Sequence, residues 1–61
     1  MTQDELNHIK FLTNLELELR RAWALAVGNN VSDAACSIIR QAGKDITQQL
    51  QALVTENELV G

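Results

Sequence analysis

The chain contains no proline, and its only strong turn cluster, Gly28-Asn29-Asn30, lies close to its midpoint. Proline ends helices, whereas a cluster of glycine and asparagine is typical of a turn. Leucine, alanine, glutamine, glutamate and arginine dominate on both sides of this cluster, and all are good helix formers. We therefore expect one all-α domain over residues 1–61, with a helix at about 3–27, a turn at 28–32 and a helix at about 33–57.

The first helix has a recognisable start and one apolar side. Thr2, followed three residues later by Glu5, is a capping box, and Gly28 is expected to end the helix as a left-handed cap. At 100° per residue, one arc of roughly 160° collects Phe11, Ala22, Leu15, His8, Ala26, Leu19, Leu12, Trp23 and Ile9. Glu16 and Arg20 have the favourable i,i+4 order of an acid followed by a base.

The second helix is expected to begin after Ser32, a good N-cap residue, and its apolar phase runs from Ala35 to Val54. Gly43 is the one residue that disturbs this pattern, because glycine inside a helix costs up to about 1 kcal/mol relative to alanine. Two interpretations follow: one helix, or two shorter helices with Asp45 capping the second. The unbroken apolar phase favours one helix.

Two helices of about 25 residues joined by a short turn indicate an antiparallel hairpin. A chain of 61 residues buries only about 60% of its unfolded surface, and one cysteine with one histidine provides neither an internal disulfide nor a closed zinc site. The apolar arcs are wider than one partner helix covers, so we expect homodimerisation into a four-helix bundle. The expected interface residues are Leu12, Leu15, Leu19, Trp23, Ile39, Ile46 and Leu53.

No catalytic or cofactor motif is found in the sequence. Glu5 and His8 match the Glu-x-x-His pair of di-iron bundles, but Glu56 is the only plausible further donor at that level, and the ligand set stays incomplete. Cys36 lies on the apolar side of the second helix, where a small buried residue is expected rather than a nucleophile. We expect no enzyme activity, no cofactor and no metal.

Charge and hydropathy point to a cytoplasmic protein that does not associate with membranes. Five basic residues against eight acidic ones give a net charge of −3, which argues against a dominant attraction to nucleic acid or anionic lipid. The longest apolar run, 22–27, is far shorter than the roughly 20 residues of a membrane span. Asp4 and Glu5 stand where a signal peptide carries basic residues.

These features predict a small non-catalytic protein–protein interaction or regulatory module that acts through self-association and through a larger protein partner. Leu6 and Leu17 lie together on the otherwise polar side of the first helix and are a candidate docking strip for such a partner.

The alternative is a regulatory hairpin dimer that binds RNA or DNA. Lys10, Arg20 and Arg21 share the exposed side of the first helix, and two-fold symmetry would double them into a basic stripe. Interleaved acids, such as Glu18, and the negative net charge weaken this alternative.

Overall fold

A computed structural model describes residues 2–60 of the chain, and its side chains through residue 56. Helix α1 (Gln3–Gly28) and helix α2 (Asp33–Val60) run antiparallel, and residues 2–60 contain no strand. The molecule measures 45 × 16 × 11 Å, so it is one helix long and one layer of helices thick. The predicted helical hairpin is confirmed, and α2 extends beyond its predicted end at residue 57.

Helix α1 begins at the predicted capping box. The Glu5 backbone N–H donates to Thr2 Oγ1 at 3.2 Å, and the Thr2 N–H donates to Glu5 Oε1 at 3.3 Å. Two backbone donors that have no partner within the helix are thereby satisfied. Asp4 and Glu5 also place negative charge at the positive end of the helix dipole.

Asn30, rather than Gly28, is the left-handed residue of the turn, with φ of 59°. The Val31 N–H donates to the Ala26 carbonyl at 3.0 Å, and the Asn30 N–H donates to the Val27 carbonyl at 3.3 Å. These two bonds form a Schellman motif, which places Asn30 where glycine is usually found. The prediction that Gly28 is the left-handed residue is therefore wrong. Asparagine can take this position because it tolerates the left-handed conformation better than most residues.

Helix α2 is continuous through Gly43, which confirms the one-helix interpretation. The Ala35 N–H donates to Ser32 Oγ at 3.3 Å, so Ser32 caps the helix as expected. A Cβ atom added at Gly43 would lie 4.0 Å from Leu19 Cβ, which is an ordinary van der Waals distance. Gly43 thus faces α1, but the two backbones are not so close that only glycine fits.

The two helices pack along a single narrow seam. Among the described side chains only Leu12, Ala26 and Cys36 are buried, and none of these three is completely enclosed. The half-buried apolar residues beside them are Ile9, Leu15, Leu19 and Ala22 on α1 and Ala35, Ile39, Ala42, Gly43, Ile46, Leu50 and Leu53 on α2. The isolated hairpin therefore has a thin core, which is open along both sides.

Replacing Gly43 with alanine is expected to stabilise the protein by about 0.5–1 kcal/mol, because it removes the entropic cost of a helical glycine without a clash. The measurement is chemical unfolding followed by circular dichroism at a fixed protein concentration. Gly43→Leu is the matched control and should be destabilising, because its larger side chain meets Leu19. A destabilising Gly43→Ala would contradict the 4.0 Å spacing.

The turn makes a second prediction about stability. Asn30→Ala should cost about 1 kcal/mol, because alanine in the left-handed region places its Cβ against the following carbonyl. Asn30→Gly avoids this clash and should be neutral or stabilising. Equal unfolding midpoints for the alanine and glycine variants would show that residue 30 is not left-handed.

Candidate functional site

Two exposed surfaces flank the seam, one on each side, and they differ in chemistry. Their positions follow from the 100° rotation per residue of each helix, measured from the buried residues Leu12 and Ala26 on α1 and Cys36 on α2. One surface is apolar. The other is a groove that carries basic residues.

The apolar face consists of Phe11, Ala22 and Leu25 on α1 and of Ile38 and Ala42 on α2. The three α1 residues lie within about 60° of one another, to one side of the buried strip, and the exposed Glu18 lies on the same side between Phe11 and Leu25. Phe11, Leu25 and Ile38 are 62%, 66% and 71% exposed. Such large apolar side chains are seldom exposed together on one side of a molecule without a partner.

The register between the helices sets Leu25 and Ile38 at nearly the same level along the hairpin. Leu19 lies beside Gly43, and the antiparallel arrangement then sets Leu25 level with Ser37. Ile38 is therefore about one residue rise, or about 1.5 Å, from the level of Leu25. Ala22 and Ala42 continue the face away from the turn with small side chains.

The basic groove occupies the other side of the seam and has a volume of about 720 Å³. Its apolar part includes Leu19, Trp23, Ile39 and Gly43, and its exposed basic residues are Arg20, Arg40 and Lys44. Three of the five lysines and arginines of the chain thus border one groove, although the net charge is −3.

The charges of the basic groove are only partly compensated. Arg20 Nε lies 2.6 Å from Glu16 Oε1, and the Glu16 side chain is only 15% exposed. Among the residues that the structure describes, neither Arg40 nor Lys44 has an ion-pair partner. They stand at i,i+4 on α2, a spacing at which like charges repel each other.

The structure does not join the three predicted nucleic-acid contacts into one surface. Arg20 borders the basic groove and pairs with Glu16, as the i,i+4 spacing predicted. Lys10 and Arg21 are exposed on the outer side of α1, away from the groove. Arg40 and Lys44 were not predicted as site residues, because only the packing of α2 against α1 brings them near Arg20.

The residues predicted for the oligomer interface lie in the seam or at its edge. Leu12 is buried within the hairpin, and Trp23 is exposed and borders the basic groove. The half-buried members of this set are Leu15, Leu19, Ile39, Ile46 and Leu53. The proposed docking residues Leu6 and Leu17 are 39% and 47% exposed.

The residues weighed for metal binding or catalysis are not brought together. His8 is exposed, while Cys36 is buried and its thiol lies 3.7 Å from the Val31 carbonyl oxygen, to which it donates. Within the described part of the chain, no three histidine, cysteine, aspartate or glutamate side chains are grouped as metal ligands.

Comparison of the chain with models of known protein families, with curated proteins and with solved structures finds no match. Neither helix, over the residues described, combines the length and hydropathy needed to cross a membrane.

The electrostatics of the basic groove can be tested with Trp23, the only tryptophan of the chain. Relative to their quenching of free N-acetyltryptophanamide, iodide should quench Trp23 more strongly than caesium, because Arg40 and Lys44 attract anions, and added salt should reduce the difference. The measurement is a pair of quenching titrations. Replacing Arg40 and Lys44 with glutamine should remove the preference for iodide. Stronger quenching by caesium in the unmodified protein would contradict the assigned groove.

Proposed function

We propose that the protein is a small, non-catalytic, cytoplasmic interaction or regulatory module that acts through self-association and through a larger protein partner. The observation that supports self-association most directly is the surface area of the single hairpin. It exposes 4760 Å², whereas a compact monomer of 6.8 kDa is expected to expose about 3950 Å².

The excess of about 800 Å² equals what one partner contributes to a protein–protein interface of standard size. A dimer that buries this excess gains the apolar core that the narrow seam lacks. At about 25 cal/mol per Å² of apolar surface, such burial is large compared with the marginal stability of a short chain.

The apolar face is the surface best suited to pairing between copies. Two-fold symmetry places the same patch on both sides of an interface, so a self-complementary patch is needed. Phe11, Leu25 and Ile38 can be buried against their counterparts, and Ala22 and Ala42 allow the helices to approach closely. Two hairpins joined in this way form a four-helix bundle.

The half-buried seam residues complete this arrangement. Leu15 and Ile46 stand at the edge of the seam that borders the apolar face, so a second hairpin covers their remaining exposed surface. The interface residues predicted from the sequence then belong to the core shared by the four helices. Leu19, Trp23 and Ile39 also line the basic groove, and Trp23 differs from the other two because its side chain is exposed.

The nucleic-acid alternative receives less support from these positions. Arg20 is already paired with Glu16, and Lys10 and Arg21 point away from the other basic residues. The docking strip of Leu6 and Leu17 stays a prediction for the larger partner, on the outer side of α1.

Sedimentation equilibrium tests the proposed self-association. The unmodified protein should be a dimer at micromolar concentration, and the double variant Leu25→Glu/Ile38→Glu should be monomeric and less stable. Both side chains are largely exposed in the single hairpin, so the added charges act against the interface rather than the seam.

Leu17→Glu is the matched control, because it adds charge at another exposed leucine outside the apolar face. It should leave the dimer intact. A folded monomer of the unmodified chain at micromolar concentration would overturn the proposal. Dissociation by Leu17→Glu but not by the double variant would move the interface to the outer side of α1.

A further inference from the structure

We propose that the basic groove binds an acidic amphipathic helix of a partner protein. This inference extends the proposed function by giving the chemistry of the larger partner. It concerns a different surface from the one proposed for self-association, so the two can be tested separately.

The dimensions of the basic groove suit a helix. Its lining runs from Glu16 to Ala24 on α1 and from Ile39 to Gln48 on α2, which corresponds to about 12–14 Å along the helix axes. Apolar anchors at i, i+3 or i+4, and i+7 of a bound helix span about 10 Å. The groove therefore accommodates two to three turns of a partner helix, with its apolar side on Trp23.

The charges determine which helix fits. The apolar lining requires apolar anchors, while Arg40 and Lys44 lie on α2 without ion-pair partners among the described residues. Acidic residues beside the anchors would pair with both cations and relieve their mutual repulsion. A basic helix would add like charge to the same place.

A second copy of the chain is a poor occupant for this groove. A two-fold interface over it would bring Arg40 and Lys44 of both copies to one region. The acids nearby are Glu16, which is already bound to Arg20, and Asp33, which lines the adjoining pocket with Arg40. A head-to-tail contact would leave the groove of the last copy unfilled. Such a contact extends into a filament unless it closes into a ring.

Single-stranded nucleic acid is also a poorer fit. Proteins that bind it use several aromatic side chains to stack successive bases. This chain has two aromatic residues, and Phe11 belongs to the apolar face on the other side of the seam from Trp23. Much of the groove lining is aliphatic.

Fluorescence titration of Trp23 tests the proposal with defined probes. The first probe is an 18-residue helical peptide without tryptophan, with leucines along one side and glutamates beside them. The second carries lysine in place of each glutamate, and the third is an 18-nucleotide oligothymidine. We expect the acidic peptide alone to cause a saturable blue shift, because its leucines cover the indole.

The double variant Arg40→Gln/Lys44→Gln should weaken binding of the acidic peptide about tenfold, as expected for two lost charge contacts at a partly exposed interface. Lys10→Gln/Arg21→Gln is the matched control, since it removes the same charge from the outer side of α1. It should change the affinity less than about twofold. Circular dichroism of both variants confirms that the helices are retained.

Four results would overturn the proposal: no shift with the acidic peptide, equal shifts with both peptides, equal weakening by both double variants, or a saturable shift with oligothymidine only. A fifth would be a blue shift on concentrating the protein alone that persists in Leu25→Glu/Ile38→Glu, which would show that a second copy fills the groove. Because that variant should still bind the acidic peptide, the failure of self-association is distinguishable from the failure of this inference.

Discussion

The packing of α1 against α2 along one seam is the interaction on which the whole molecule depends, and a hairpin provides only one such seam. Leu12 on α1 and Cys36 on α2 are buried there, while most of their apolar neighbours stay half exposed. A layer 11 Å thick has no interior beyond this line of contacts. The fold is therefore specified by apolar packing, but it is left with more apolar surface than two helices can cover.

The uncovered surface differs in chemistry between the two sides of the seam. Small and large apolar residues on one side suit a symmetric partner, whereas Trp23 with Arg40 and Lys44 on the other side suits a partner of opposite charge. If both proposals hold, one short chain binds a copy of itself and a different protein on separate surfaces.

The hairpin was predictable because its signals are local. The capping box at Thr2 and Glu5 and the unbroken apolar phase across Gly43 depend on residues within a few turns of each other, and both predictions are confirmed. The left-handed residue was predicted at Gly28, two positions too early. It is Asn30, because the Schellman motif is closed by the backbone N–H groups of Asn30 and Val31. The basic groove could not be predicted from either helix alone. Arg20 and Arg40 become neighbours of one groove only through the register between α1 and α2.

The tight turn also affects how fast the hairpin folds relative to the proposed dimerisation. All contacts between α1 and α2 are made across the connection that Asn30 and Val31 close, so the helices can zip together outward from it. Hairpins with such local contacts form within about microseconds to milliseconds. Encounter of two chains at micromolar concentration takes about 0.1–10 s at ordinary association rates. For a chain that pairs as proposed, dimerisation is therefore slower than folding of the hairpin, and its rate depends on the protein concentration.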